Sequence, residues 1–371
     1  MSDAFVRAME IAVLVFAALV VLLAVTVVVV EGRNARWKRR RAELTARWRA
    51  FLLGEVPGAP ALPATDRDRT AVLLLFSELT QEPAGPAPAP ARDAVTAAGR
   101  RAGLDRVAAA LLDGDDVDKV VAFGGLARLG AAVAAEPARA YLDDPGTELS
   151  RAAARCLLLT DPDALGSVLD RVRRRPDWSA TRVAAMLAEI DPHAVGGALM
   201  SAIDRSVAAG DDQGTVRLLG FLPYGSPTAA RDACFRVLDS AGSPEVRAAV
   251  LRELAEVALP GDAVVARLNA RDPRAYVRLA AIRVLRAVGA SEDATVLGAM
   301  VTDPDFWVRR RSAEALVALG TVGAGPRPAG NVAGVDDAYA CDALAEAIAD
   351  TRFTGPDGRP APRAIGSRVV A

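Results

Sequence analysis

Stacked pairs of α-helices behind one membrane-spanning helix are the fold class this sequence predicts: all-α, with an N-terminal transmembrane helix followed by a right-handed α-solenoid. Three observations point there. Residues 11–30 are apolar apart from Thr26. From about Asp118 the chain repeats itself, most regularly at intervals of 31 residues. The composition is 52% hydrophobic but only 5% aromatic. Ala, Val and Leu therefore supply the apolar matter, which favours closely packed helices over a β-sandwich.

Residues 1–31 form the predicted anchor. Twenty apolar residues at about 1.5 Å per residue span about 30 Å, the thickness of a bilayer's hydrocarbon core. Glu10 and Glu31 bracket the run. A cleaved signal peptide has a shorter apolar centre, about 7–15 residues, and a basic front. Here Arg7 is the only basic residue ahead of the run, and Glu31-Gly32-Arg33 is a poor cleavage site. Behind it come Arg33, Arg36, Lys38, Arg39, Arg40, Arg41, Arg47 and Arg49. This asymmetry places the N-terminus outside and the body in the cytoplasm, beneath an inner or plasma membrane.

Residues 32–63 read as a basic juxtamembrane helix and a linker. Trp37 and Trp48 lie among the arginines, so Arg33, Arg36, Trp37, Lys38, Arg39, Arg40, Arg41 and Trp48 are the candidate membrane-interface residues, suited to an anionic lipid bilayer. The same segment is equally a plain topology signal. Val56–Pro63 is the Pro- and Gly-rich linker.

Residues 64–117 hold N-terminal helices and a spacer. Asp66–Gln81 carries Val72, Leu75, Phe76 and Leu79 at helical spacing. Glu82–Ala91 contains four prolines and is expected to be extended. Ala91–Leu112 is helical again, broken at Gly103.

Residues 118–350 are the predicted solenoid. Asp272-Pro273 leads to Val277-Arg278, Ala281, Leu285 and Gly289. Asp303-Pro304 leads to Val308-Arg309, Ser312, Leu316 and Gly320, each 31 residues later. A third copy runs from Ser243-Pro244 through Val246-Arg247 to Leu254. The ladder Arg247, Arg278, Arg309 continues backwards, less evenly, through Arg217, Arg182, Arg151 and Lys119. A period in this range signals stacked two-helix units, none of which buries its apolar face alone. In each unit Asp offers an N-cap and Pro a tolerated first turn. Gly then ends the helix. The rung arginines are expected to pair with Asp272 and Asp303 of neighbouring turns. Thr321–Val335 is an insertion loop and Asp336–Asp350 a capping helix. Residues 351–371, rich in Pro, Gly and Arg, are expected to be disordered.

The pattern D-P-x-x-x-V-R-x-x-A-x-x-x-L-x-x-x-G resembles the short bacterial HEAT-like repeat, also found in phycobilisome-lyase-type proteins. The layout as a whole resembles a family of bacterial membrane-anchored HEAT-repeat proteins. Shared features are the span, the Arg-rich segment, the Asp66-Arg67-Asp68-Arg69 helix, the Gly103-Leu104-Asp105 break and the stretch from Asp161-Pro162 to Trp178. That resemblance implies a neighbourhood with a membrane-bound family 2 glycosyltransferase, and hence a role in surface polysaccharide assembly.

Chemistry-bearing motifs are scarce. His193 is the sole histidine and sits at a helix start. Cys156, Cys234 and Cys341 are far apart, so reduced core thiols are expected, not zinc or disulfides. Asp113-Gly114-Asp115-Asp116 with Asp118 fails the EF-hand pattern at its sixth and twelfth positions. Gly323–Gly330 lacks the Lys-Ser/Thr of a phosphate loop. Residues 1–49 hold nine basic and four acidic side chains, which leaves 36 basic and 42 acidic in the rest, a net of −6. An acidic body argues against nucleic acid.

The expected function is a membrane-tethered scaffold that binds a protein partner, with no catalytic, metal or cofactor residues. Arg173, Arg174, Arg175 and Trp178, together with Tyr276, Phe306 and Trp307, are the candidate partner-binding residues, because Trp, Tyr and Arg anchor interfaces. A lyase-like chaperone or enzyme acting on a cofactor-bearing protein, and an anionic-lipid-binding membrane organiser, are the alternatives.

Overall fold

The computed structural model describes residues 35–80, 89–130, 134–240, 242–288, 291–319 and 338–353, with Leu23, Thr26 and Glu31. All regular elements among them are helical. The predicted span 11–30, Arg33, the capping glycines Gly289 and Gly320 and the tail beyond 353 lie outside the described residues, Leu23 and Thr26 apart. Among the described residues no helix is long and apolar enough to cross a membrane. The chain divides into two compact units, Met1–Pro162 and Asp163–Ala371.

The first unit opens with α1 (35–52). This helix turns Trp48, Phe51 and Leu52 inward, and the Trp48 and Phe51 rings meet edge-on at 6.1 Å. Arg40 and Arg49 of α1 bond Asp68 and Glu78 of α2 (Asp66–Thr80), each at 2.9 Å. Trp48 was expected at the lipid interface; it is fully buried. The reason is helical phase, since Trp48, Phe51 and Leu52 share one apolar face at spacings of three and four. The other interface candidates differ: Arg36, Lys38 and Arg39 are exposed, and Arg41 stacks over the Trp37 ring at 5.3 Å.

Then come α3 (Ala89–Arg101) and α4 (Leu104–Leu111), separated at Gly103, whose φ of 77° only glycine adopts without strain. The start of α3 takes three residues from the expected Pro-rich spacer. Asp115 caps α5 (Asp116–Leu129) by accepting from the Asp118 N–H, so the aspartate-rich stretch is a helix start. Short α6 (Ala135–Ala140) and α7 (Thr147–Thr160) complete the unit, with α5 packed between α2, α4 and α7.

The second unit begins with α8 (Leu165–Arg174), α9 (Ala180–Leu187), α10 (Pro192–Ala208), α11 (Asp212–Leu219) and α12 (Pro227–Ser240). In α8 and α10–α12 the order is uneven: α8, α10 and α12 stack in succession, and a 3-10 turn at Leu222–Tyr224 takes up Pro223. Backbones meet closely there. A Cβ on Gly196 would lie 2.9 Å from the Ala229 Cβ, and one on Gly225 would lie 2.9 Å from the Gly196 Cα. Regularly spaced helices follow: α13 (Pro244–Val257), α14 (Ala263–Asn269), α15 (Ala275–Val288) and α16 (Ala294–Met300). Next are α17 (Phe306–Ala318) and α18 (Ala338–Phe353). Helices α11, α13, α15, α17 and α18 form one row, each packed on the next, while α14 and α16 back α15 and α17. The row is an α-solenoid, glued by Val246, Val277 and Val308 and by Leu254, Leu285 and Leu316, all buried at equivalent repeat positions.

One local expectation changes. Asp272 and Asp303 do not cap the helices that follow them. Each carboxylate accepts from the N–H two residues on, at 2.9 and 2.8 Å, and turns to an arginine. Asp305 caps α17 instead, accepting from the Trp307 and Val308 N–H groups. Asp191-Pro192 keeps the simpler arrangement, with Asp191 capping α10 and Pro192 in its first turn.

Candidate functional site

Each rung arginine of the regular repeats works in two directions. Arg278 donates to both carboxylate oxygens of Asp303, at 2.8 and 2.6 Å, and to the Asp272 and Pro273 carbonyls before its own helix. Arg247 approaches Asp272 at 3.4 Å and donates to the Gly242 carbonyl. The planar fork of the guanidinium suits this, since it can grip a carboxylate and still reach a carbonyl. Arg309 repeats the carbonyl half, to Asp303 and Pro304, but its charge lies over the Phe306 and Tyr339 rings at 5.9 and 5.7 Å. A second set of pairs joins Arg231 to Asp262 and Arg267 to Asp293, whose carboxylates are buried. Burial pushes the Asp262 carboxyl up, but the Arg231 and Leu259 hydrogen bonds and the Arg231 charge together hold it below the usual carboxylate range. The ladder is structural, and it uses up these arginines.

The candidate residues around Trp178 also go inward. Trp178 is fully buried, beneath Arg175 at 5.9 Å. Arg173 bonds Asp211 at 2.6 Å, Arg174 the Asp170 carbonyl at 3.0 Å, and Arg175 both oxygens of Asp177 at 2.9 Å. This stretch is therefore no open basic patch with a tryptophan anchor. Its charges have local partners and its ring fills the core. Arg217 closes it by donating to the carbonyls of Val172 and Trp178. Burial lowers the Arg217 pKa, against a smaller rise from Asp177.

Tyr276, Phe306 and Trp307 behave differently. They are 40%, 51% and 53% exposed. Tyr276 and Trp307 occupy the same repeat position, two before the rung arginine, and Glu245 occupies it on α13. The Tyr276 hydroxyl donates to Glu245 at 2.7 Å. That bond holds the Glu245 carboxyl below its ordinary value, whereas desolvation first and Glu245 second push the Tyr276 phenol up. Phe306 and Trp307 meet edge-on at 5.3 Å. Seven residues after Glu245 and Tyr276 stand Arg252 and Arg283; four after Trp307 stands Arg311. Spacings of four and seven keep one face of a helix. Together with Arg286 these arginines line a groove of about 380 Å³ along α13, α15 and α17, with Tyr276 in its wall and Leu279, Ala280 and Ile282 in its floor.

Sequence reasoning missed the four groove arginines. A signal for two of them was present, because Arg252 and Arg283 are spaced by the same 31 residues as the rungs. His193 is exposed at the start of α10. Cys156 and Cys234 are buried and pushed up to about 12 by desolvation, so they are poor nucleophiles. Cys341, expected in the core, is exposed on α18.

The HEAT-repeat family model matches residues 261–352, from just before α14 to the last turn of α18. The helix-pair stack in this part of the chain is a HEAT-type α-solenoid. No curated protein matches. Among solved structures, the crystal structure of an engineered protein aligns over 82% of this chain and 81% of its own, at 16% identity and a TM-score of 0.34, a likeness too slight to argue from.

Proposed function

We propose that this chain is a protein-binding scaffold that works through the exposed face of α13, α15 and α17 and is held at a membrane by residues 11–30. One observation carries the reading. Two successive repeats place a large aromatic at the same solvent-exposed position, Tyr276 and Trp307, beside arginines on the same helical face. Aromatic and Arg side chains of this kind supply most of the binding energy at protein interfaces. A solenoid offers them on a continuous surface. The apolar run at 11–30 supports the tether, and confinement to a surface raises the effective concentration of partners there. In this reading the body is cytoplasmic, and the protein is not an enzyme and carries no cofactor. The resemblance stated above adds the finer proposal that the partner is an integral membrane enzyme, a glycosyltransferase of surface polysaccharide assembly.

The test is site-specific photo-crosslinking in membranes. A photoreactive phenylalanine replaces Trp307 or Tyr276, and Leu268, 73% exposed on α14, serves as the control site. A discrete adduct from the first two positions, absent from the third and weakened by deleting residues 1–30, is the expected result. Equal adducts from all three positions would remove the proposed face.

A further inference from the structure

We infer that the groove beside Tyr276 receives an acidic protein segment, one with apolar side chains between its carboxylates. The inference rests on the scaffold reading for where the working face lies, and adds what that face selects.

Helix α15 carries Arg278, Arg283 and Arg286 and no acidic residue. Arg278 is committed to Asp303. Arg283 and Arg286, with Arg252 across the groove, form no ion pair and no hydrogen bond among the described residues. By contrast Arg231, Arg267, Arg278 and Arg173 hold carboxylates. Glu253 feels the charges of Arg252 and Arg283. Burial, the larger effect, raises its pKa even though both arginines lower it. Arg311 is partly offset by Glu314, at 2.5 Å. Three exposed guanidiniums thus converge without carboxylates of their own, and such a site favours an incoming anion.

The floor decides the kind of anion. Ile282 and Ala280 are 2% and 3% exposed, and Leu279 is half-buried beside them. A bare phosphate would use the arginines and leave this apolar floor wet. A peptide that alternates carboxylates with aliphatic side chains uses both. Its carboxylates meet Arg252, Arg283 and Arg286, and its apolar groups cover Ile282 and the Tyr276 ring. The groove's size suits several side chains, not one ion.

The experiment uses the full-length chain in nanodiscs of neutral lipid. The probe is a labelled octapeptide alternating Glu and Leu, with a Gln/Leu peptide as its neutral counterpart, followed by fluorescence anisotropy over a salt series. The wild type is expected to prefer the Glu peptide by about tenfold, with a preference that fades as salt rises. Arg283→Glu with Arg286→Glu should lose that factor, and Arg283→Lys with Arg286→Lys should keep most of it. Arg101→Glu with Arg106→Glu, an equal change in net charge on the other unit, should bind as wild type. Equal binding of the two peptides, or wild-type affinity in the charge-reversed groove, would overturn the inference. So would pyrophosphate or phosphatidylserine vesicles binding the groove more tightly than the peptide, which would reassign it to a small anion or a lipid surface. If the peptide fails while crosslinking from Trp307 persists, the acidic preference falls and the scaffold reading survives.

Discussion

Two stretches of the second unit use the same kinds of residue in opposite ways. From Ser243 to Leu319 the repeats are regular. Rung arginines grip the aspartates of the following unit, and aromatics two positions before the rung stand in solvent. From α8 to α11 the spacing is uneven. There Arg217 bonds backbone carbonyls, and Trp178, four positions before Arg182, is fully buried. A regular stack already satisfies its helix ends through the ladder, so its exposed face is left for binding. Where repeats lose register, the carbonyls at the end of α8 have no partner from a ladder. Arginine and tryptophan are then consumed in filling and capping the gap. Regularity, more than residue type, separates a surface from a plug.

Truncation of the two tryptophans breaks this comparison most sharply. Trp178→Ala empties a closed site and should cost about 3–5 kcal/mol in denaturant unfolding. Trp307→Ala should change stability by no more than about 0.5 kcal/mol while abolishing the partner adduct. Equal stability losses would show that the two rings are equally structural.

The ladder comes next. Arg278→Ala leaves the Asp303 carboxylate without its bidentate partner in a site where both side chains are about a tenth exposed. A loss of about 3 kcal/mol is expected. Arg217→Ala removes only bonds to neutral carbonyls, so about 1–2 kcal/mol is expected. The reverse order would mean that the uneven stretch depends on its arginine more than the regular one does.

Acid sharpens the same contrast with a smaller effect. The Asp262 pKa is lowered in the folded chain, so its contribution is fully present above the ordinary carboxylate value of about 3.9. It is lost as pH falls through the lower folded value. Denaturant midpoints should therefore fall on acidification below about pH 4. Asp262→Asn should be weaker at neutral pH and show a flatter acid limb. Parallel acid limbs in the two proteins would contradict the assignment.

Much of the fold is legible in the residues. Gly103 marks a helix break because only glycine sits easily at its left-handed φ. The 31-residue recurrence of Val, Leu and Arg marks the stacked pairs, because burial of each stripe demands the same spacing. Less of the site is legible. Asp-Pro reads as an N-cap wherever it occurs, and Asp191 is one. Asp272 and Asp303 are not, because a rung arginine from the preceding unit competes for their oxygens. Trp37 and Trp48 look alike among arginines and, eleven residues apart, share one helix face, yet only Trp48 is fully buried.

By itself, then, the sequence determined that the described chain is helical and that its later part stacks in repeats, since helix period, capping and apolar stripes are local properties. Only the tertiary structure decided which arginines are neutralised, which tryptophan is core and where a groove opens. Those outcomes depend on what a neighbouring helix brings within hydrogen-bond reach, and no spacing along one helix states that.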